Sequence, residues 1–296
     1  MSIIDLKQIS KSDKPIFDKF FQIRRYENSH LNFTNLYMWA RPFDIRFAIE
    51  DEVLYMCSRW DDQKFALQPI GRDELMPAAV EKIIDCGAKK LIGLEEFFVD
   101  ILDAIPNLTF EVERDDKNFD YVYLAEDLIN LSGRKYHSKK NHLNSFWKAY
   151  PTAQYLEITP EVIEQCREEL KRWYEVRSEE NENPDFLELE RNAICEIFDN
   201  FSDFNLKGGA LHLGGKIIAF TFGEQINSDT AVIHVEKADP EIRGAYAAIN
   251  QAFVENAWSS MTYINREEDM GLAGLRQAKE SYRPIKLIEK YNATLA

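Results

Sequence analysis

His234 and Glu236 stand two residues apart in the run Thr230-Ala-Val-Ile-His-Val-Glu-Lys237, whose β-branched content predicts a strand. Side chains alternate along a strand, so Val232, His234 and Glu236 are expected on one face, with His234 and Glu236 pointing together. An imidazole near its natural pKa, or a carboxylate raised by desolvation, can take a proton from an attacking amine. A hydrogen-bonded interior histidine beside a rim carboxylate, neutralised by Lys237, fits the same residues. A second constellation is basic. No acid occurs between Asp127 and Glu157, while Arg134, Lys135, Lys139, Lys140 and Lys148 fall there in a chain of net charge -15. Lys135, Lys139 and His142 repeat at helical spacing, with Tyr136, Lys140, Leu143 and Trp147 beside them, which predicts a helix within 133–150. Its lysines would meet phosphates as point charges and Arg134 as a bidentate fork; a solvated helix is the plain alternative.

Two further groups follow. Arg243 and Gly244 open a predicted helix after Asp239-Pro240, where a cation and free N–H groups suit an anion, although an ordinary helix start accounts for them equally. The stretch from Asn265 to Pro284 mixes Glu267, Glu268 and Asp269 with Arg266, Arg276, Lys279 and Arg283. Asp269 is expected to cap a helix whose buried stripe is Leu272, Leu275 and Tyr282. Arg276, Lys279 and Arg283 recur on another face.

Periodicity supplies the elements that would hold these residues. The first part reads as helices 14–25 and 31–40, strands 43–49, 52–58 and 63–68, helix 72–86, strand 89–93, helix 95–104 and strand 108–113. The last part reads as helices 160–180 and 185–200, strands 205–213, 216–225 and 230–237, helix 243–258, strand 261–264, helix 270–282 and strand 285–290. The order is the same, offset by roughly 160–170 residues, which implies duplication of one fold. Gly214-Gly215 predicts a tight hairpin between two of the later strands. The expected division is a first domain 1–118, a connecting strand and basic helix 119–150, and a second domain 151–296 carrying the site.

At 45% hydrophobic and 12% aromatic residues the chain can bury a large core. Met1 to Lys14 is broken by charges, and no stretch approaches the roughly 20 apolar residues of a membrane-spanning helix, so a cytoplasmic location is expected. Cys57, Cys86, Cys166 and Cys195 form no CxxC pair, and no HExxH occurs, so neither a metal nor a disulfide framework is expected.

Three stretches carry a family resemblance: Ser29-His-Leu-Asn-Phe-Thr-Asn-Leu-Tyr-Met-Trp39, Leu131-Ser-Gly-Arg-Lys-Tyr-His-Ser-Lys-Lys-Asn-His142 and Asn265-Arg-Glu-Glu-Asp-Met-Gly-Leu-Ala-Gly-Leu-Arg-Gln-Ala-Lys-Glu-Ser-Tyr-Arg-Pro284. Over nearly the whole chain they resemble a bacterial family related to the C-terminal domain of phosphatidylglycerol lysyltransferase and, more distantly, the Fem-type aminoacyltransferases. The resemblance implies an α/β (α+β) chain of two tandem acetyltransferase-like (GNAT) domains, with the strand of His234 and Glu236 lining the cleft. It implies acyl or aminoacyl transfer from aminoacyl-tRNA or acyl-CoA to a small-molecule or lipid acceptor, with Tyr282 protonating the leaving group. It also marks Asn265, Glu267, Asp269, Gly271 and Gly274 as motif residues, and Arg134, Lys135, Lys139, Lys140, Arg243, Gly244, Arg276 and Lys279 as donor-binding candidates. None of these 296 residues resembles the long membrane-embedded part of the lysyltransferases, and the (Q/R)xxGx(G/A) pyrophosphate loop is represented only by Ile242-Arg-Gly-Ala-Tyr-Ala247. An aminoacyl-tRNA-dependent transferase is the leading expectation, with an acyl-CoA-dependent N-acetyltransferase or a non-catalytic binding protein as its rivals.

Overall fold

The computed structural model describes residues 4–60, 63–178 and 184–296. The tail of the expected helix 160–180 and the first three residues of the charged N-terminal stretch lie outside them. Two compact units result: Met1–Asp120 with Glu268–Gly271 and Ile288–Ala296, and Tyr121–Glu267 with Leu272–Leu287.

The first unit runs β1 (Lys7–Gln8), α1 (Lys14–Phe21), α2 (Phe33–Ala40), β2 (Arg46–Glu50), β3 (Val53–Trp60), β4 (Gln63–Leu67), α3 (Met76–Asp85), β5 (Lys90–Leu94), α4 (Glu96–Asp103) and β6 (Phe110–Arg114). Asn32 caps α2, its side-chain oxygen accepting the Asn35 N–H at 3.1 Å. Helix α3 buries Met76, Ala79, Val80 and Ile83 at helical spacing against Tyr55, Leu91 and Phe98. Each such large apolar side chain removed from water contributes about 1.5–3 kcal/mol.

The second unit begins with β7 (Asp120–Leu124), α5 (Ala125–Asn130), α6 (His137–Ala149) and β8 (Gln154–Glu157), followed by α7 (Pro160–Ser178) and α8 (Pro184–Asp199). Then come β9 (Lys207–Leu213), β10 (Lys216–Gln225), β11 (Thr230–Ala238), α9 (Ala245–Ala257), β12 (Tyr263–Asn265), α10 (Ala273–Glu280) and β13 (Lys286–Ile288), after which the chain returns to the first unit as β14 (Tyr291–Leu295). The Gly214-Gly215 turn forms as expected, with both residues at positive φ and Leu213 paired to Lys216.

The two sheets have matching plans: β1-β2-β3-β4-β5-β14-β6 and, read the same way, β8-β9-β10-β11-β12-β7-β13. In each, a parallel pair is followed by an antiparallel strand taken from a distant part of the sequence. The last strand, β14, completes the first sheet, and β7 completes the second. The units therefore depart from the expected domains: residues 268–271 fall in the first unit, and strand pairing rather than closeness in sequence reassigns two longer segments. Residues 121–150 are built into the second unit instead of standing as a connector, and residues 288–296 belong to the first.

A buried ion pair sits where the exchanged strands begin. Asp120 opens β7 and Lys290 precedes β14; both side chains are fully buried, 2.6 Å apart. Ser29 donates its N–H and its hydroxyl to Asp120, each at 2.8 Å. Glu268 lies 3.6 Å from Lys290 and 3.6 Å from His30, so the first and last family-like stretches meet in a structural cluster of the first unit.

Candidate functional site

The strand β11 is irregular at its centre. Opposite β10, Phe222 pairs with Val235 and Gly223 with Ile233, which leaves His234 as the extra residue of a β-bulge. Gly223 is required there, since a Cβ would stand 2.0 Å from the Val232 carbonyl oxygen. The bulge resets the alternation. Ile233 packs with Phe253 and Val254 of α9, and Glu236 and Ala238 fall on that same face, while Val235 opposes Phe222, which packs on Phe198 and Phe201. His234 and Glu236 therefore do not point together, contrary to the simple period-two expectation.

His234 is held on both sides. Its Nδ1 lies 2.8 Å from Glu267 Oε1 and its Nε2 3.1 Å from Glu224 Oε1, with 1% of the side chain exposed. Burial alone would lower its pKa, but the two hydrogen-bonded carboxylates outweigh it and raise the value to about 9. The ring is an imidazolium at neutral pH with both nitrogens engaged, so the expected role as proton acceptor is not met. Although the side chain is enclosed, the residue as a whole is only half-buried; the solvent-reaching part is main chain. Beyond Val232, β12 has ended at Asn265, and β11 carries no strand on that edge among the described residues.

Glu236 anchors a second group on the α9 face. Asn250 donates to its Oε2 and Arg266 Nη2 to its Oε1, both at 2.9 Å. Asn250 is a fully buried polar residue amid Ala248, Ile249, Ala252 and Phe253. Arg266, which follows β12, sets its guanidinium 4.8 Å from the Tyr282 ring centroid and 5.6 Å from that of Tyr123. Its Nη1 is buried with no hydrogen-bond acceptor among the described residues. Lys139 of α6 places its amine 4.2 Å from the same Tyr282 ring. Burial first, then the Arg266 charge, lower the Lys139 pKa against the opposing pull of Glu236. Tyr282 is 6% exposed; burial pushes its pKa up to about 12, Arg266 opposing and Glu236 adding to the rise. Its hydroxyl has no hydrogen-bond partner among the described residues.

The remaining candidates divide. Lys279 donates to the Glu267 carbonyl at 2.9 Å and to the Arg266 carbonyl, so it braces the turn after β12 instead of awaiting a phosphate. Asn265 accepts the Glu267 N–H at 2.7 Å and helps set that residue at φ 56°. Asp269 accepts the Gly271 N–H at 2.7 Å in a local turn, and α10 starts four residues later, so Asp269 does not cap it. Gly271 needs its positive φ of 76° in that turn, while Gly274 is exposed on α10 with open space around it. Arg276 is half-buried on α10, apart from the charges acting on Lys139. Lys135 pairs with Asp127 at 3.1 Å; Arg134 and Lys140 are exposed. Arg243 lines a shallow hollow of about 320 Å³ with His137, Ser138, Asn141, His142 and Ser145. Gly244 has φ 90°, and a Cβ there would meet the His142 carbonyl at 2.9 Å, so the close approach of α6 and α9 explains it. Arg266, Asn250 and Glu224 were not among the expected site residues. A polar residue in the apolar stripe of α9 was the available signal for Asn250.

The family model described as "Phosphatidylglycerol lysyltransferase, C-terminal" matches residues 21–294. A crystal structure of a conserved protein of unknown function from Bacteroides thetaiotaomicron is 36% identical, with a TM-score of 0.91 over 99% of this chain and 100% of that one. The structure of L-PGS from Bacillus licheniformis aligns at TM-score 0.67 and 14% identity, over 95% and 91% of the two chains. A tandem GNAT protein of clavulanic acid biosynthesis aligns at TM-score 0.50 and 9% identity over 98% of each, in accord with the repeated sheet plan.

Proposed function

The chain belongs to the phosphatidylglycerol lysyltransferase C-terminal family, and on that premise we propose that it moves an aminoacyl group from aminoacyl-tRNA to an amine or hydroxyl acceptor. The carrying observation is the group on the α9 face: a fixed carboxylate, Glu236, and, with no hydrogen-bond partner among the described residues, the Tyr282 hydroxyl and the buried Arg266 Nη1. The acceptor nitrogen attacks the ester carbonyl carbon, and the carbonyl electron pair moves to oxygen, where Arg266 Nη1 donates to the developing charge. As the carbon–oxygen bond to the donor breaks, Tyr282 gives its proton to the departing oxygen; with its pKa pushed up to about 12 the phenol is protonated at neutral pH. Glu236 takes the proton released by the new amide and returns it to the tyrosinate through water. Exposed Arg134 and Lys140 lie on the acid-free segment and favour a polyphosphate donor.

Incubation with tRNA charged with labelled amino acids and a cell extract should move label into an acceptor, and Tyr282→Phe should slow it by about 10²–10⁴-fold. No transfer from any aminoacyl-tRNA would end this reading. One observation favours acyl-CoA as donor instead: the exposed main chain at His234 on the unpaired edge of β11 offers amide partners to an amide-bearing arm. Calorimetry with acetyl-CoA decides that alternative, and no binding at millimolar concentration removes it.

A further inference from the structure

Lys139 differs from the other cations of its segment. Lys135 is exposed and paired with Asp127 at 3.1 Å, and Lys140 is exposed. Lys139 is half-buried, its amine rests 4.2 Å from the Tyr282 ring centroid, and it has no hydrogen bond or ion pair among the described residues. The charged and titratable groups facing it are Arg266 from the end of β12, Glu236 from β11 and Tyr282 beyond α10. Glu236 is already engaged by Arg266 and Asn250, so it compensates the Lys139 charge only in part.

We propose that Lys139 is an acylation site of this protein, a side-chain amine that takes acyl groups from activated carboxyl donors such as thioesters and aryl esters. The geometry supplies three reasons. The Tyr282 ring face holds the ammonium only weakly, and no hydrogen-bonding acceptor among the described residues adds to it. The buried Arg266 guanidinium repels that proton, so deprotonation relieves a like-charge contact. The amine also shares the Tyr282 ring with Arg266, whose Nη1 lacks an acceptor among the described residues and, on the transfer reading above, would hold an acyl carbonyl.

In the reaction Nζ first loses a proton to solvent, and its lone pair then attacks the carbonyl carbon. The bond to the thiolate or aryloxide breaks as the amide forms, and the second Nζ proton ends on the leaving group. One ester and one amine become one amide and one thiol or phenol, with no oxidant or further reactant. The step requires neither tRNA nor an external acceptor, so it stands apart from the transfer proposed above. Acylation removes one of the positive charges from the Glu236 and Tyr282 group.

The test is substoichiometric p-nitrophenyl acetate, and separately acetyl-CoA, added to the full chain at pH 7.5, with peptide mass spectrometry resolving Lys135, Lys139 and Lys140. Lys139 should acquire the acetyl group several-fold faster than Lys135 and Lys140 with p-nitrophenyl acetate. Glu236→Gln, which removes an anion that favours the ammonium, should quicken that labelling further; circular dichroism verifies that this isosteric variant is folded. Labelling of Lys139 no faster than of Lys140, or a Glu236→Gln protein that is folded yet labelled more slowly, would overturn the proposal. Acetyl-CoA modification at Lys139 would add that the site accepts a thioester carrier, and preferential modification of Lys140 by that donor would count against the site.

Discussion

The Glu224–His234–Glu267 bridge makes stability depend on pH in a way that ordinary histidines do not. The ring is buried and its pKa stands at about 9, against 6.5 for the free side chain. The folded state thus prefers the protonated form. Its contribution is complete below pH 6.5, declines as pH rises, and is gone once pH passes about 9. A displacement of that size corresponds to about 3 kcal/mol at 1.36 kcal/mol per unit. Urea unfolding from pH 6 to 10 should lose this amount relative to the double variant Glu224→Gln/Glu267→Gln, in which amides replace the carboxylates that hold the proton. In that variant burial alone acts, and the histidine should become neutral well below pH 7. Imidazole resonances followed over the same range should show His234 titrating near 9 in the native protein. Parallel stability profiles for the two proteins, or a His234 titration near 6.5, would refute the bridging arrangement and with it the argument that this ring cannot serve as a base.

Replacing Lys290 by Met should cost about 3–5 kcal/mol in chemical denaturation by stranding Asp120, and the double change Lys290→Met/Asp120→Asn should recover a good part of it. Gly223→Ala should lower the melting temperature markedly, because the new methyl would overlap the Val232 carbonyl at 2.0 Å, while Gly214→Ala, which meets nothing, should cost only the strain of its positive φ. Tyr282→Phe should leave unfolding free energy within about 1 kcal/mol, as the hydroxyl has no partner to lose; a large stability loss would show that the phenol is a structural donor.

Much of the fold was readable because helices such as α3 bury one face at helical spacing and the central strands are nearly continuous runs of buried residues. Expected strand 216–225 is β10, expected helix 95–104 contains α4, and the expected 285–290 strand is the shorter β13. The exchange of β7 and β14 was not readable, since a five-residue strand carries no record of which distant edge it joins. The site was legible in composition and not in orientation. Glu236, Tyr282 and Lys139 stand in one group around Arg266 while Arg276 lies apart, and the bulge at His234 turns a shared face into two faces. Gly223 was the one residue whose type hinted at it, a glycine inside a strand of large side chains. Lys279 and Gly244 looked like anion ligands because charge and backbone freedom serve equally well to brace a turn and to let two helices approach.

The two halves share a plan, but only one leaves room beside its parallel pair. In the first unit β4 pairs with β5 from Phe65 to Leu67 and then stops, with Gln68 and Pro69 following and Ile70 bridging back to Leu54. Proline has no N–H and leaves no continuous donor edge. In the second unit the corresponding pairing covers Thr230 to Val232, but β11 continues to Ala238 along β10 after β12 has ended. That continuation supplies an edge unpaired among the described residues, carries the bulge and delivers Glu236 to α9. The segment leaving β12 meanwhile delivers Arg266 to Glu236 and Glu267 to His234. The asymmetry gives a physical reason for the Glu236–Arg266 and His234–Glu267 contacts of the second unit: a strand that outlasts its neighbour exposes backbone and aims side chains, and a strand closed by proline does neither.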